Sequence, residues 1–247
     1  MIERLLIANR GEIARRIMRT CHDLGIETVA IFSDADAGAA FVQDADRAVA
    51  IGGHTPAASY LRVDAILEAA RRTGADAVHP GYGFLAENAA FARAVTEAGL
   101  TFVGPTADVI AVMGSKLAAK ERMAAAGVPL LPSVELTGLD TAAVESAAAE
   151  VGFPLLIKAS AGGGGRGMRI VRDRTDMAEV VASAQREALA AFGDATVFVE
   201  PLIEHGRHVE VQVLGDVHGN VVHLGCLLYT SDAADDLVSV WVGGGGG

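Results

Sequence analysis

Over about the first hundred residues, short apolar runs alternate with longer segments whose apolar residues recur at helical spacing. The short runs are typical of buried strands, and the longer segments are typical of amphipathic helices. Strands are predicted in RLLIAN, ETVAIF, ADAVHPG and LTFVGP, and helices in GEIARRIMRTCHDLG, SYLRVDAILEAARRTG and AENAAFARAVTEAG. This alternation predicts an α/β fold in which helices cover a parallel sheet.

Two polar segments directly follow predicted strands, NRGE at 9–12 and HPGYGFLAEN at 79–88. In open parallel sheets, ligands bind at the carboxyl ends of the strands. We therefore expect both segments at the functional edge of this sheet.

The pattern changes after VPLLPS at 128–133, which is typical of a connector, and from about residue 155 it indicates an α+β module with antiparallel strands. Strands are predicted in PLLIKAS, GMRIV, ATVFVEPLI and RHVEVQVLGD, and the last is expected to form a hairpin with GNVVHLG. A helix is predicted over TDMAEVVASAQREALAAFG, with one apolar face formed by Met177, Val180, Val181, Ala184 and Ala188.

The segment KASAGGGGRGMR at 158–169 places four consecutive glycines between two predicted strands. A P-loop is excluded because the lysine precedes the glycines, and a dinucleotide fingerprint is disfavoured because a strand follows them. A glycine flap between strands, with a lysine beside it, is typical of loops that close over ATP phosphates. The alternative is a flexible surface hairpin.

Composition narrows the range of partners. The net charge of −11 argues against nucleic acid as the main partner. No segment matches a signal peptide or approaches the roughly 18 apolar residues of a membrane helix, so we expect a soluble, cytoplasmic protein. The two cysteines form neither a disulfide framework nor a metal site.

Six motifs together resemble the N-terminal part of biotin carboxylase, an ATP-grasp ligase, in order and at compatible spacing. They are IANRGEIARRI, HPGYGFLAEN, FVGP, MGSK, KASAGGGGRGMR and RHVEVQV. The resemblance covers about residues 1–225 and is most similar in style to acyl-CoA carboxylase α-chains. It implies a pre-ATP-grasp domain at 1–113, an ATP-grasp lid subdomain at 114–203 and the first strands of an incomplete catalytic subdomain at 204–225.

The resemblance also implies a chemistry. ATP phosphorylates bicarbonate to carboxyphosphate, which carboxylates N1 of biotin on a carrier protein. The nucleotide-binding residues that it implies are Lys116, Lys158, Gly162, Gly163, Gly164, Gly165, Arg166, Gly167, Glu200, Ile203 and His208. Lys116, Lys158 and His208 would contact the nucleotide, the loop would cover its phosphates, and Glu200 and Ile203 would lie beside adenine. No catalytic or metal-binding residue is assigned, and the Mg ligands are expected beyond the matching segment.

Each of these positions has a structural alternative. Lys116 could be a solvated helix charge, Glu200 could simply end a strand, and His208 could face solvent. Alternative functions are another ATP-grasp ligase, such as a carbamoyl-phosphate synthase, and a non-catalytic nucleotide-binding or interaction module. The expected partners are a biotin carboxyl carrier, a carboxyltransferase subunit and, in the full-length protein, a second copy in a homodimer.

The segment at 226–247 departs from the family pattern, with the only Trp and no Lys or Arg. CLLYTSDAADD resembles a translated adapter of sequencing libraries, and a glycine run follows it. We therefore expect a non-native, disordered tail; the alternative is a divergent C-terminus with a flexible linker. Because the family's metal-binding glutamates, bicarbonate-binding arginine and catalytic base come later, we expect this chain alone to be inactive.

Overall fold

A computed structural model describes residues 2–161, 168–174, 177–216 and 218–230, without the side chains of His208 and 227–230. The chain forms two compact units. The first consists mainly of residues 1–111, and the second mainly of 112–214 with the strand that begins at Val221.

The first unit is built on a parallel sheet of five strands in the order β3-β2-β1-β4-β5. Its elements are β1 (Arg4–Ile7), α1 (Gly11–Asp23), β2 (Glu27–Phe32), α2 (Ala40–Asp44), β3 (Arg47–Ala50), α3 (Val63–Thr73), β4 (Ala77–His79), α4 (Ala89–Glu97) and β5 (Thr101–Phe102). The chain leaves this unit within α5 (Ala107–Gly114). The predicted parallel sheet is confirmed.

Two short elements of this unit were not predicted, α2 and the edge strand β3. Only Val49 of the four β3 residues and only Phe41 of the five α2 residues are buried. Such short elements give no hydrophobic period for a sequence pattern to detect.

Both faces of the parallel sheet are buried. Leu6 of β1 packs in one hydrophobic cluster with residues of α3 and α4, while Leu5 and Ile7 pack in another with residues of α1. This arrangement explains why β1 is a continuous apolar run, since alternate side chains enter cores on opposite sides.

The second unit contains an antiparallel sheet in the order β6-β9-β7-β8. Its elements are α6 (Lys116–Ala125), β6 (Val134–Glu135), α7 (Thr141–Val151), β7 (Leu155–Ala159), β8 (Arg169–Val171), α8 (Met177–Phe192) and β9 (Val197–Pro201). The expected apolar face of α8 is confirmed: Met177, Val181, Ala184 and Ala188 are buried, and Val180 is half-buried against the same core.

The strands β10 (His208–Gly215) and β11 (Val221–Thr230) pair in a two-stranded sheet, as the hairpin prediction required. Apolar side chains of both strands are exposed, including Val211 at 50% and Leu224 at 65%. β11 continues through 226–230, where the sequence predicts the start of a disordered tail, because the apolar CLLYT segment extends the strand. The remainder of that tail lies outside the described residues. Among the described helices, none has the length and apolarity to cross a membrane.

Candidate functional site

The two polar segments predicted at the sheet edge of the first unit meet there. The Asn9 amide donates to the carbonyl oxygens of Pro80 at 2.8 Å and Tyr82 at 2.9 Å, and the Tyr82 hydroxyl donates to Glu12. The polar groups of the edge thus hydrogen-bond one another, which fixes the loops after β1 and β4.

A second polar group at this edge surrounds the Asp36 carboxylate, which is buried. Arg10 donates to it at 2.6 Å, the Tyr60 hydroxyl at 2.7 Å and the Ser33 hydroxyl at 3.0 Å. Burial by itself raises the pKa of Asp36, but these hydrogen bonds outweigh it and hold the pKa below its usual value. One cation thus balances one anion, and neutral donors complete the group.

The second unit concentrates its buried polar residues in one place. Among its described residues, those that are buried and polar or charged are Lys158, Ser160 and Glu200. Lys158 and Ser160 lie at the end of β7 directly before the glycine loop, and Glu200 lies on β9.

The strand register brings Lys158 and Glu200 together. Lys158 pairs with Phe198 and Leu156 pairs with Glu200, so these four residues share one face of the sheet. The opposite face, which includes Ile157, packs in the core of α7 and α8. Diagonal neighbours on one face of an antiparallel pair are within reach of long side chains, and Lys158 Nζ forms an ion pair with Glu200 Oε1.

A second lysine completes this group. Lys120 Nζ of α6 lies 2.8 Å from Glu200 Oε2, so each carboxylate oxygen has its own ammonium partner. The side chains are 6% exposed for Glu200, 8% for Lys158 and 23% for Lys120. Two cations thus face one anion in a buried setting, and the group carries a surplus positive charge.

The start of α6 lies against the end of β7. The Lys116 amide donates to the Ser160 carbonyl at 3.0 Å, and Lys116 Nζ lies 3.5 Å from the same oxygen. The Ser115 hydroxyl caps the helix by accepting from the Ala118 amide, and it lies 3.2 Å from the Ser160 hydroxyl. Lys116 is therefore half-buried at the strand end, not a fully solvated helix charge.

This arrangement has the chemistry of a phosphate site. Lys116 and Lys158 lie at the end of β7, which directly precedes a glycine segment in the sequence. Glycine lets backbone amides approach anionic oxygens without obstruction by side chains. The surplus positive charge of the Lys120–Glu200–Lys158 group favours an incoming anion.

In comparisons with known proteins, each unit matches the model of a known domain family. A model of the biotin carboxylase N-terminal domain matches residues 1–110, and a model of the carbamoyl-phosphate synthase L chain ATP-binding domain matches residues 115–233. The chain is 51% identical over 224 residues to biotin carboxylase of Halalkalibacterium halodurans, with 91% of this chain and 50% of that relative covered.

A plant relative and a solved structure extend the match. The mitochondrial methylcrotonoyl-CoA carboxylase subunit alpha of Oryza sativa is 53% identical, over 90% of this chain and 30% of that protein. The biotin carboxylase domain dimer of Hydrogenobacter thermophilus 2-oxoglutarate carboxylase, solved with MgADP, ADP and bicarbonate, has a TM-score of 0.86 at 47% identity, covering 92% of this chain and 50% of that one.

The chain belongs to the biotin carboxylase family. It spans about half the length of the Halalkalibacterium relative. The ATP-binding match reaches residue 233 and so passes 225, where the sequence predicts that the resemblance ends. The predicted domain boundaries stay predictions.

The other residues that the resemblance implies lie as follows in the structure. The loop residues Gly162, Gly163, Gly164, Gly165, Arg166 and Gly167 lie outside the described residues. Ile203 follows β9 and is 55% exposed, and His208 begins β10 with its side chain outside the described part. Pro201 has no backbone N–H, and the backbone N–H of Leu202 donates to the Pro154 carbonyl oxygen at 3.0 Å.

Sequence reasoning missed Lys120. The signal that could have found it is its spacing from Lys116, since residues four apart lie on the same side of a helix. Its partner Glu200 is 80 residues away on β9, so the pair forms between distant parts of the chain and has no local sequence signal.

Proposed function

We propose that the complete gene product is a biotin carboxylase. It would use ATP to phosphorylate bicarbonate to carboxyphosphate, and carboxyphosphate would carboxylate N1 of biotin held on a carrier, as part of an acyl-CoA carboxylase. The observation that carries this proposal is the buried ion pair of Lys158 and Glu200 directly before the glycine loop, with Lys120 on the second carboxylate oxygen, within a chain of this family.

The residues of this chain would have distinct tasks in nucleotide binding. Lys116 and Lys158 would neutralise phosphate oxygens, and the loop at 162–167, with Arg166, would cover them. Glu200 and Ile203 would position adenine, and His208 would contact the nucleotide from β10. Such positioning and charge neutralisation make up most of phosphoryl-transfer catalysis.

For magnesium the described residues do not fit. Among them, no group of three or more His, Cys, Asp or Glu side chains could hold a metal ion. We therefore assign no step of metal handling to this part of the chain, and we propose that the 247 residues alone do not carry out the reaction.

The partners are also proposals. A biotin carboxyl carrier would present biotin, a carboxyltransferase subunit would use the carboxylated product, and the full-length protein would form a homodimer. The relative from Hydrogenobacter thermophilus was solved as a dimer of biotin carboxylase domains. A cytoplasmic location remains a prediction of the sequence.

The test is ATP hydrolysis by the complete gene product with bicarbonate, with and without free biotin. We expect turnover that requires both substrates, and Lys158→Met should reduce it. ATP hydrolysis that is independent of biotin but requires an ammonia source would favour the carbamoyl-phosphate synthase alternative. The matching ATP-binding domain model is named after that enzyme. Tight ATP binding without turnover would favour a non-catalytic module.

A further inference from the structure

The Lys120 ammonium is held on several sides. It pairs with Glu200 Oε2 at 2.8 Å, lies 3.4 Å from the Leu131 carbonyl and is 5.3 Å from the centroid of the Phe198 ring. Carboxylate, carbonyl and aromatic face all favour a cation at this point. Lys120 is thus a fixed charge inside the second unit.

The two lysines on Glu200 differ in what else they can reach. Lys158 lies in β7, four residues before Gly162, the first glycine of the loop. Lys120 lies on α6, one helical turn beyond the N-terminal Lys116. Of the two lysines that pair with Glu200, Lys158 is a phosphate ligand in the function proposed above and Lys120 is not.

A lysine that turns to a phosphate gives up part of its interaction with its carboxylate. Without a second cation, the carboxylate of Glu200 would then be buried and unpaired, which is strongly unfavourable. Lys120 removes that cost because it pairs with the oxygen that Lys158 does not use.

We propose that Lys120 is a positioning residue for nucleotide binding: it neutralises Glu200 and so frees Lys158 to bind the phosphates of ATP. This inference rests on the proposed function. It assigns to Lys120 an effect on phosphates that its own side chain does not contact.

The test compares ligands with and without phosphates. In the complete gene product, Lys120→Met should weaken binding of ATP and ADP about 10-fold, the scale of one lost charge-assisted interaction. Binding of adenosine, measured by competition against a fluorescent nucleotide, should change less than about twofold. Lys120→Arg should keep most of the ATP affinity. Arg122→Met removes an exposed cation of the same helix and should leave all three affinities unchanged.

A second comparison applies even if Lys120→Met does not fold. Glu200→Gln removes the charge that Lys120 balances, so Glu200→Gln and the double variant Lys120→Met/Glu200→Gln should bind ATP equally well. A further loss of ATP affinity in the double variant would overturn the proposal.

Two other results would overturn it. Equal losses for adenosine and ATP would mean that Lys120 acts only as a structural support of the adenine side. Unchanged ATP binding in Lys120→Met, with normal wild-type binding, would remove any role for Lys120 and leave the proposed function intact. A wild-type protein that does not bind ATP would reject both.

Discussion

Among the described residues, each unit of the molecule buries one carboxylate among cations and donors, and the two groups differ in charge balance. In the first unit, Asp36 meets one guanidinium and two hydroxyls. In the second, Glu200 meets two ammonium groups, Lys120 and Lys158. Counting these contacts alone, the first group is neutral, whereas the second, which directly precedes a glycine loop in the sequence, has one more cation than anion.

The difference separates structural from ligand-binding polar groups. A balanced cluster satisfies its own members and stabilises the loops that carry them. In a cluster with more cations than anions, removing the extra charge from water is unfavourable, and a bound anion offsets that cost. This difference supports our proposal that the second unit binds the nucleotide phosphates, whereas the polar groups of the first unit stabilise its loops.

The largest effect is expected from removing the shared anion of the second unit. Glu200→Ala removes the carboxylate that Lys120 and Lys158 share, which should cost about 3–5 kcal/mol of unfolding free energy. Chemical denaturation of the complete gene product measures this. A loss below about 1 kcal/mol would mean that the pair is screened by solvent like a surface ion pair.

The balanced cluster should respond to pH. Because the pKa of Asp36 is lowered in the folded state, its contribution is full above its unfolded pKa of about 3.9 and disappears as pH falls through the lower folded value. Asp36→Asn should therefore cost about 1–3 kcal/mol at pH 7. The difference from wild type should shrink as the pH drops below about 4.

Denaturation curves of both proteins across this range measure the trend. A difference that grows on acidification would contradict the sign, and a loss of ATP affinity in Asp36→Asn would contradict the structural role of the first cluster.

The smallest effect is expected at two helix caps. Ser115 caps α6 and Asp140 caps α7, each by accepting from an amide three residues on. Alanine at either position should cost about 1 kcal/mol of stability. Only Ser115→Ala should also weaken ATP binding, because Ser115 positions the start of α6 and with it Lys116. Equal ATP affinities in both variants would contradict that link.

The sequence predicts most of the parallel sheet because strands such as β1 are buried on both faces and therefore read as apolar runs. The sequence does not predict β3, because a single buried residue, Val49, gives this strand no hydrophobic pattern. At the site, the resemblance locates Lys158 and Glu200, but their ion pair depends on the register of β7 and β9. Lys120 depends on tertiary packing alone, which local patterns do not encode.

The most direct measurement compares one cation from each cluster in ATP binding by the complete gene product. Lys158→Met should weaken ATP binding by about 10- to 100-fold, as expected for a lost charge-assisted contact to phosphate. Arg10→Met, which removes the cation of the balanced cluster, should change it less than about twofold. Unchanged ATP affinity in Lys158→Met, or an equal loss in Arg10→Met, would contradict the assignment of the phosphate site to the second unit.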